Sequence, residues 1–537
     1  MKQLLSSSIA APGFFGLNTQ ESSVTLSSGF ALQADNCIID AGGRLGARKG
    51  YTYKTSSGGT GANIEGIHDF VGDTGHVDYI SWGNNKLYKG LNTLTELSLP
   101  SGYTITDNNW SAATLGGVVY LVQSGHTPLK ISSALVVTEH NQGGGANHAL
   151  PQVAWITTAF GRLFAAGEAT DKHTLHISDT LAGNFSEGSV DGATINFQKI
   201  WTNGGDEIVS AHGFNGRLVV FCKRSIVILD DSNNTDLIFN TTDASLRVVE
   251  ILDNVGCVSH ESIQAVGDDI YFLSSTGLRS LNRVIQEKSN PISDLSVNVR
   301  DEVVSLVSTT TVVNVKSVYS AANAFYLLIY PDSKLIYCFD TRGRLENGGL
   351  RVTKWVDSLV LSSVSASNGD LYFGFEDGIA EYDSYQDNGS SYYMAYKTNY
   401  FDLDLPTTNK ILKTVGVTVV GGSGQNFSIK AGTDYDDQPR SYNRSIKQSV
   451  VTEYGESDYG PSTSGDSYDY VDLGGITQTV TTVAGDAKFT GGGSTDRIKV
   501  AVGGQGSVLQ LGFEAYIDGD ELSIQKFDVY VKQGKTN

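Results

Sequence analysis

Methionine (2 residues), cysteine (4) and proline (9) are scarce in this 537-residue chain, and charged residues make up only 18% of it. The usual charged share is about a quarter. Lys, Glu, Arg and Met, all good helix formers, are the residues in short supply. A mostly helical protein and a coiled coil are therefore poor fits. No apolar run reaches the ~18 residues that a membrane-spanning helix needs. The opening MKQLLSSSIAAPG has one Lys and small residues, but its apolar stretch is too short for a secretory signal. Cys37, Cys222, Cys257 and Cys338 form no CxxC pair, and Cys222 and Cys338 sit in strand-like runs. Buried free thiols are expected of them. Lys and Arg number 38 against 58 Asp and Glu, a net charge of −20. Such a chain is unsuited to gripping nucleic acid by counterion release. An acidic wall does suit a surface past which DNA slides without sticking.

Catalytic patterns are missing as well. There is no GxSxG elbow, no HExxH, and no GxGxxG in a βαβ setting. The nine His are scattered, and the pair His173 and His176 reads as surface residues. Asp518, Asp520 and Glu521 around Gly519 read as a hairpin turn rather than a calcium loop. No cofactor and no metal site is expected.

What the chain does have is glycine (61), tyrosine (26), and short Val/Thr/Ser-rich apolar runs bounded by Gly, Asn and Asp. With 40% hydrophobic residues, it has enough apolar surface to offset the entropy of ordering. A repeat dominates. Polar turn, strand, tight turn and second strand recur around Tyr79, Tyr120, Phe164, Val219, Tyr271, Tyr326 and Tyr372, at spacings of 41 to 55 residues. That period predicts a divergent β-propeller of six or seven blades, since one small sheet cannot cover both its faces without neighbours. One helix is predicted over Pro291–Val307, where Ile292, Leu295, Val299 and Val303 share a face. Asp69, Asp78, Asp269 and Asp370 could supply a glycosidase pair in a propeller channel. They occupy turns, where Asp is the ordinary residue.

The fold expected is all-β, in three parts. Residues 1–51 form a lead-in or assembly segment, 52–390 a propeller, and 391–537 an antiparallel β-sandwich with an acidic insertion at 432–475. The insertion carries Asp434, Asp436, Asp437, Glu453, Glu456, Asp458, Asp466, Asp469 and Asp472 against Arg440, Arg444 and Lys447. It reads as either disordered or a contact arm.

Three stretches resemble the tail nozzle proteins (tail tubular protein B) of short-tailed bacteriophages and the related hub proteins that stabilise packaged DNA. They are the lead-in PGFFGLNTQESS…NCIIDAGGRLGARKGY, the first blade GNNKLYKGLNTLTEL, and a closing domain with YKTNYFDLDLPTTNKILKTVGVTV and SIQKFDVYVK. The resemblance implies a structural virion protein, made in the host cytoplasm and placed in the tail. It implies a homohexamer below an adaptor ring, with tail fibres or a needle attached, and a channel for DNA ejection that does not bind DNA specifically. On that basis the acidic residues of 432–475 are candidates for the lumen, the tip or a dock, and Phe14, Phe15, Arg44 and Arg48 for assembly. A carbohydrate-binding propeller adhesin is the alternative, followed by a propeller glycoside hydrolase.

Overall fold

The computed structural model describes residues 4–536 apart from 24, 57–62, 141–149, 186–191, 203, 232–245, 288–293, 310–313, 377, 423, 437–438, 447–466, 472–476 and 482–494. Six four-stranded units and one three-stranded unit follow one another around an axis. Blade 1 starts with Gly66–Gly72, blade 2 with Ser111–Leu115, blade 3 with Trp155–Ala159 and blade 4 with Ile208–Phe214. Blades 5, 6 and 7 start with Gln264–Val266, Lys316–Ser320 and Ser362–Ser365. These seven first strands line the axis, and the first strand of blade 7 packs on that of blade 1. The seven repeat residues read from the sequence, Tyr79 to Tyr372, each fall on the second strand of a blade.

Wedges of apolar side chains fill the space between consecutive blades. Phe70, Trp82, Val119 and Leu121 pack blade 1 on blade 2. Ile64, Tyr79, Tyr372 and Ile379 pack blade 7 on blade 1. Such burial, at roughly 25 cal/mol per Å² of apolar surface, is what stacking supplies and a single blade lacks. Blade 5 has only three strands, and the helices Leu281–Glu287 and Arg300–Thr309 pack on it. The second helix overlaps the stretch read from periodicity, with Leu295, Val299 and Val303 all fully buried. Ile292 lies outside the described residues. The first helix carries no comparable signal. Blade 7 takes its fourth strand, Thr52–Tyr53, from the far end of the ring, where it pairs with Gly378–Glu381.

The C-terminal domain is a sandwich. One sheet contains Thr408–Gly421, Leu522–Thr536 and Thr495–Ala501, with Leu4–Ala10, Cys37–Ile39 and Leu45–Ala47 added from the lead-in. In the other, Tyr392–Thr398, Leu509–Ile517, Asn426–Thr433 and Arg440–Ser445 run side by side. That second sheet does not end at the domain. Through Phe30–Asp35 and Gly16–Leu17 it continues into Leu350–Val356, the outer strand of blade 6, making ten strands in all. Propeller and sandwich thus share a backbone hydrogen-bond ladder, and the wedge between blades 5 and 6 runs into the sandwich core. Gly16 has φ +83°, and a Cβ there would meet the Val352 carbonyl oxygen. Only glycine allows the lead-in to lie this close. Near the start of the insertion Arg440–Ser445 extends the sheet, and near its end Ser467–Val471 pairs with Thr477–Thr481 just beyond it.

Arg48 fixes the splice. Its guanidinium donates to both oxygens of Asp387 at 2.8 and 2.7 Å and to Asn36 Oδ1 at 3.1 Å. It also lies 4.1 Å from the Tyr392 ring centroid and 5.7 Å from that of Trp355. Arg48→Ala is expected to cost about 3–5 kcal/mol, because Asp387 loses its buried partner. Arg44→Ala, which removes the more exposed pair with Asp40, is expected to cost under about 1 kcal/mol. Denaturant midpoints of the two variants check this; equal shifts would remove Arg48 from its special position.

Candidate functional site

The propeller axis is the first place where several blades present side chains to one another. Along it, hydroxyls and imidazoles stitch neighbouring first strands. His68 Nε2 and Thr114 Oγ1, from blades 1 and 2, are 2.7 Å apart. Thr158 of blade 3 donates to the Thr114 carbonyl at 2.9 Å. Alternation along these first strands turns their polar residues toward one another, so hydrogen bonds run from blade to blade.

His260, in the short helical turn before blade 5, touches three other blades. Its Nε2 lies 3.2 Å from Ser111 Oγ of blade 2 and its Nδ1 2.8 Å from Ser210 Oγ of blade 4. Its ring stacks on Trp155 of blade 3, with centroids 5.6 Å apart at 22°. His212 lies on its other side, at 6.3 Å and 25°. Contacts with blades 2, 3 and 4 from a residue of blade 5 place these rings toward the axis, where they join four neighbouring blades. Above them is a cavity of about 260 Å³, lined by Trp110, Trp155, His260, Lys223, Glu261 and Lys316. Burial pushes the imidazole of His68 down to about 4 and that of His212 down to about 3, and lowers that of His260. Each ring is partly open along the axis but enclosed by protein, and the charged form is the one that loses hydration.

The sequence candidates go to different places. Phe14 is fully buried, edge-on to Tyr396 at 6.0 Å and Phe527 at 6.2 Å. Arg48 is buried as described above. These two attach the lead-in to the rest of its own chain. Phe15 is half-buried, edge-on to Phe30 at 5.3 Å, and Arg44 pairs with Asp40 at 2.6 Å. Asp434 accepts the backbone amides of Ser507 at 2.6 Å and Val508 at 3.3 Å, so it braces a turn. Asp436 lines an open cavity of about 410 Å³ together with Arg440. Asp469 lies in the strand Ser467–Val471. Asp437, Glu453, Glu456, Asp458, Asp466 and Asp472 lie outside the described residues.

The four carboxylates read as turn residues are likewise occupied, although Asp69 and Asp78 lie within the strands Gly66–Gly72 and Gly75–Gly83 rather than in turns. Asp269, nearly buried, accepts from the Ile270 and Asn282 amides at 2.8 and 3.0 Å, from Ser280, and from Arg344 at 3.3 Å. Asp69 accepts the Ser367 amide at 2.8 Å and contacts His76 at 2.9 Å. Asp78 caps the Tyr79 amide at 2.8 Å, and Asp370 accepts from Asn368 at 2.6 Å. All four cysteines are buried and unpaired, with burial pushing the Cys222 thiol up to about 12 and that of Cys257 up to about 11. Among the described residues no three His, Cys, Asp or Glu side chains come together as a metal site. Sequence reading missed His260 and Asn36, since neither belongs to a motif. The one signal was Arg48 in GARKG, which was noticed for its charge.

No family model matches the chain, and no curated protein matches it. Solved structures that resemble it include the WD40 β-propeller domain of Doa1, at 13% identity and a TM-score of 0.36, covering 62% of this chain and 96% of that one. Another is the extracellular domain of the hybrid two-component system BT3049 of B. thetaiotaomicron, at 13% identity and a TM-score of 0.39. That match covers 81% of this chain and 51% of the other. A third is YCF48 bound to D1 peptide, at 10% identity and a TM-score of 0.33, covering 66% and 96%. None of them transfers an activity or a partner to this chain; the propeller stands on the chain's own strand pairing.

The axial histidines make stability sensitive to acid. Unfolded, each protonates near the ordinary imidazole value of about 6.5; folded, burial keeps His68 and His212 neutral down to about 4 and about 3. Between those values the unfolded chain binds more protons, so stability present above pH 6.5 is lost as pH falls toward 4. Asp294 and Asp340, whose carboxyls burial raises, act in the opposite direction. The readout is therefore the difference between a variant and its parent. His212→Gln is expected to lose less melting temperature than the parent between pH 7 and pH 5, by calorimetry. Parallel profiles would show that His212 does not titrate as described.

Proposed function

We propose that the chain is a structural wall subunit of the tail nozzle of a short-tailed phage, assembled as a homohexamer below an adaptor ring. The observation that supports this most directly is the ten-stranded sheet, which joins propeller and sandwich without a flexible linker. A subunit that surrounds DNA in transit has to keep its shape, and a shared ladder and core resist relative domain motion better than a tethered pair. In this reading DNA would run between chains, with the propellers as blocks around it. The net charge of −20 per chain, repeated six times, would repel phosphate and let a duplex pass without being held. Residues of 432–475 would contribute to the lumen, the tip or a fibre dock.

Negative-stain electron microscopy and mass photometry of the purified chain, alone and with the phage's adaptor, test this. The expected outcome is a six-fold ring of 57.4 kDa chains with an open centre and no retention of linear duplex DNA at physiological salt. A chain that stays monomeric in both conditions, or that binds duplex tightly, would sink the reading.

A further inference from the structure

One face of the sandwich's second sheet is turned to solvent and differs from an ordinary charged exterior. Alternation along its strands sends Phe427, Ile429 and Phe513 into the core, where each is at most 3% exposed. The opposite face has its side chains in register. Tyr393 stands opposite Tyr516, Glu514 opposite Ser428, Ser428 opposite Asn443, and Asn426 opposite Ser445. Tyr516 is 65% exposed, among the most open large side chains described. Tyr393 holds its ring at a centroid distance of 5.4 Å and 54°. Around the rings is an open cavity of about 500 Å³. The charges in the middle of the face cancel: Lys430 and Glu514 pair at 2.9 Å, and Tyr393 also bonds to Glu514. Ser445 donates to Asn426 Oδ1 at 2.5 Å and Ser428 to Asn443 Oδ1. Both amide oxygens are used within the face, and each NH₂ keeps two donors.

We infer that this face binds a neutral polysaccharide. A sugar ring has an apolar C–H face and a rim of hydroxyls. An exposed tyrosine ring suits the first, and a grid of amides and hydroxyls the second. A protein partner would need an apolar patch at the centre of its contact, and here the two tyrosines are the only large apolar surface. Lys430 and Glu514 pair internally, Arg444 at the rim of the cavity turns to the Asn443 carbonyl at 2.7 Å, and the chain's net −20 disfavours acidic polymers. The inference does not depend on the nozzle reading, since a monomer would carry the same face.

Affinity electrophoresis of the full chain in native gels containing dextran, soluble starch or hydroxyethyl cellulose tests it. At least one of these polymers is expected to retard the protein. Tyr516→Ala is expected to weaken that retardation about tenfold, a change of the size seen when a binding anchor is truncated. Tyr435→Ala, which removes an exposed tyrosine elsewhere on the domain (48% exposed), is expected to leave it unchanged. Melting temperatures show that both variants are folded. No retardation by any of the three polymers, equal retardation of Tyr516→Ala and parent, or equal loss in both variants would overturn the inference. A change in native mass for Tyr516→Ala without polymer binding would assign the face to a second copy of the chain, and would overturn it too.

Discussion

The rest of the architecture depends on one buried ion pair. Arg48 and Asp387 come from opposite ends of the propeller segment, and their side chains meet where lead-in, ring and sandwich converge. A guanidinium is a good choice for this place because its planar fork meets a carboxylate with two parallel bonds while its faces pack against aromatic rings. Tyr392 and Trp355 supply those rings. Asn36 completes the node in a left-handed conformation at φ 54°. Its amide nitrogen donates to the Tyr393 carbonyl at 2.7 Å, and its oxygen accepts from Arg48 and from the Val356 amide. Three segments far apart in sequence are thereby held by two side chains and their partner.

A second buried cation works in the same way at the other end of the sandwich. Lys410 has no exposed surface, and its ammonium donates to the carbonyls of Leu405 at 2.7 Å, Thr408 at 3.1 Å and Ser507 at 2.6 Å. Burial lowers its pKa, while Asp402 and Asp434 favour its charge. In a strongly acidic chain, a few basic residues are thus drawn inward to organise backbone. Asp434 takes part as well: it bears on Lys410 and caps the amides of the turn that Lys410 also holds.

The propeller was legible in the sequence because its signal is local and repeated. Tyr79, Tyr120 and Phe164 each mark a second strand whose period-two alternation and bounding turns lie within a few residues. The same holds for the long sandwich strands, such as Thr408–Gly421, whose apolar alternation is visible in ILKTVGVTV. The lead-in was harder to read. Its strands are two to seven residues long, and their partners lie hundreds of positions away, so no window contains the pattern. Phe14 and Arg48 stood out by type, but whether a side chain faces its own core or another chain is a question of tertiary packing. His260 was invisible for the same reason: a lone histidine acquires meaning only when Ser111, Trp155 and Ser210 are brought around it.

The splice has a consequence for the order in which the chain is made. Leu4 pairs with Lys532, Gly16 with Val352, and Asp35 with Ala395. The lead-in strands therefore cannot complete their pairing until blade 6 and most of the sandwich have been made. Until then they are unpaired edges, the kind of surface that invites wrong partners. Their brevity and their many serines and glycines make them poor aggregators while they wait. Such long-range closure is slow, so a nascent chain of this kind passes much of its synthesis as a string of partly stacked blades, trailing an N-terminal segment that still lacks its neighbours.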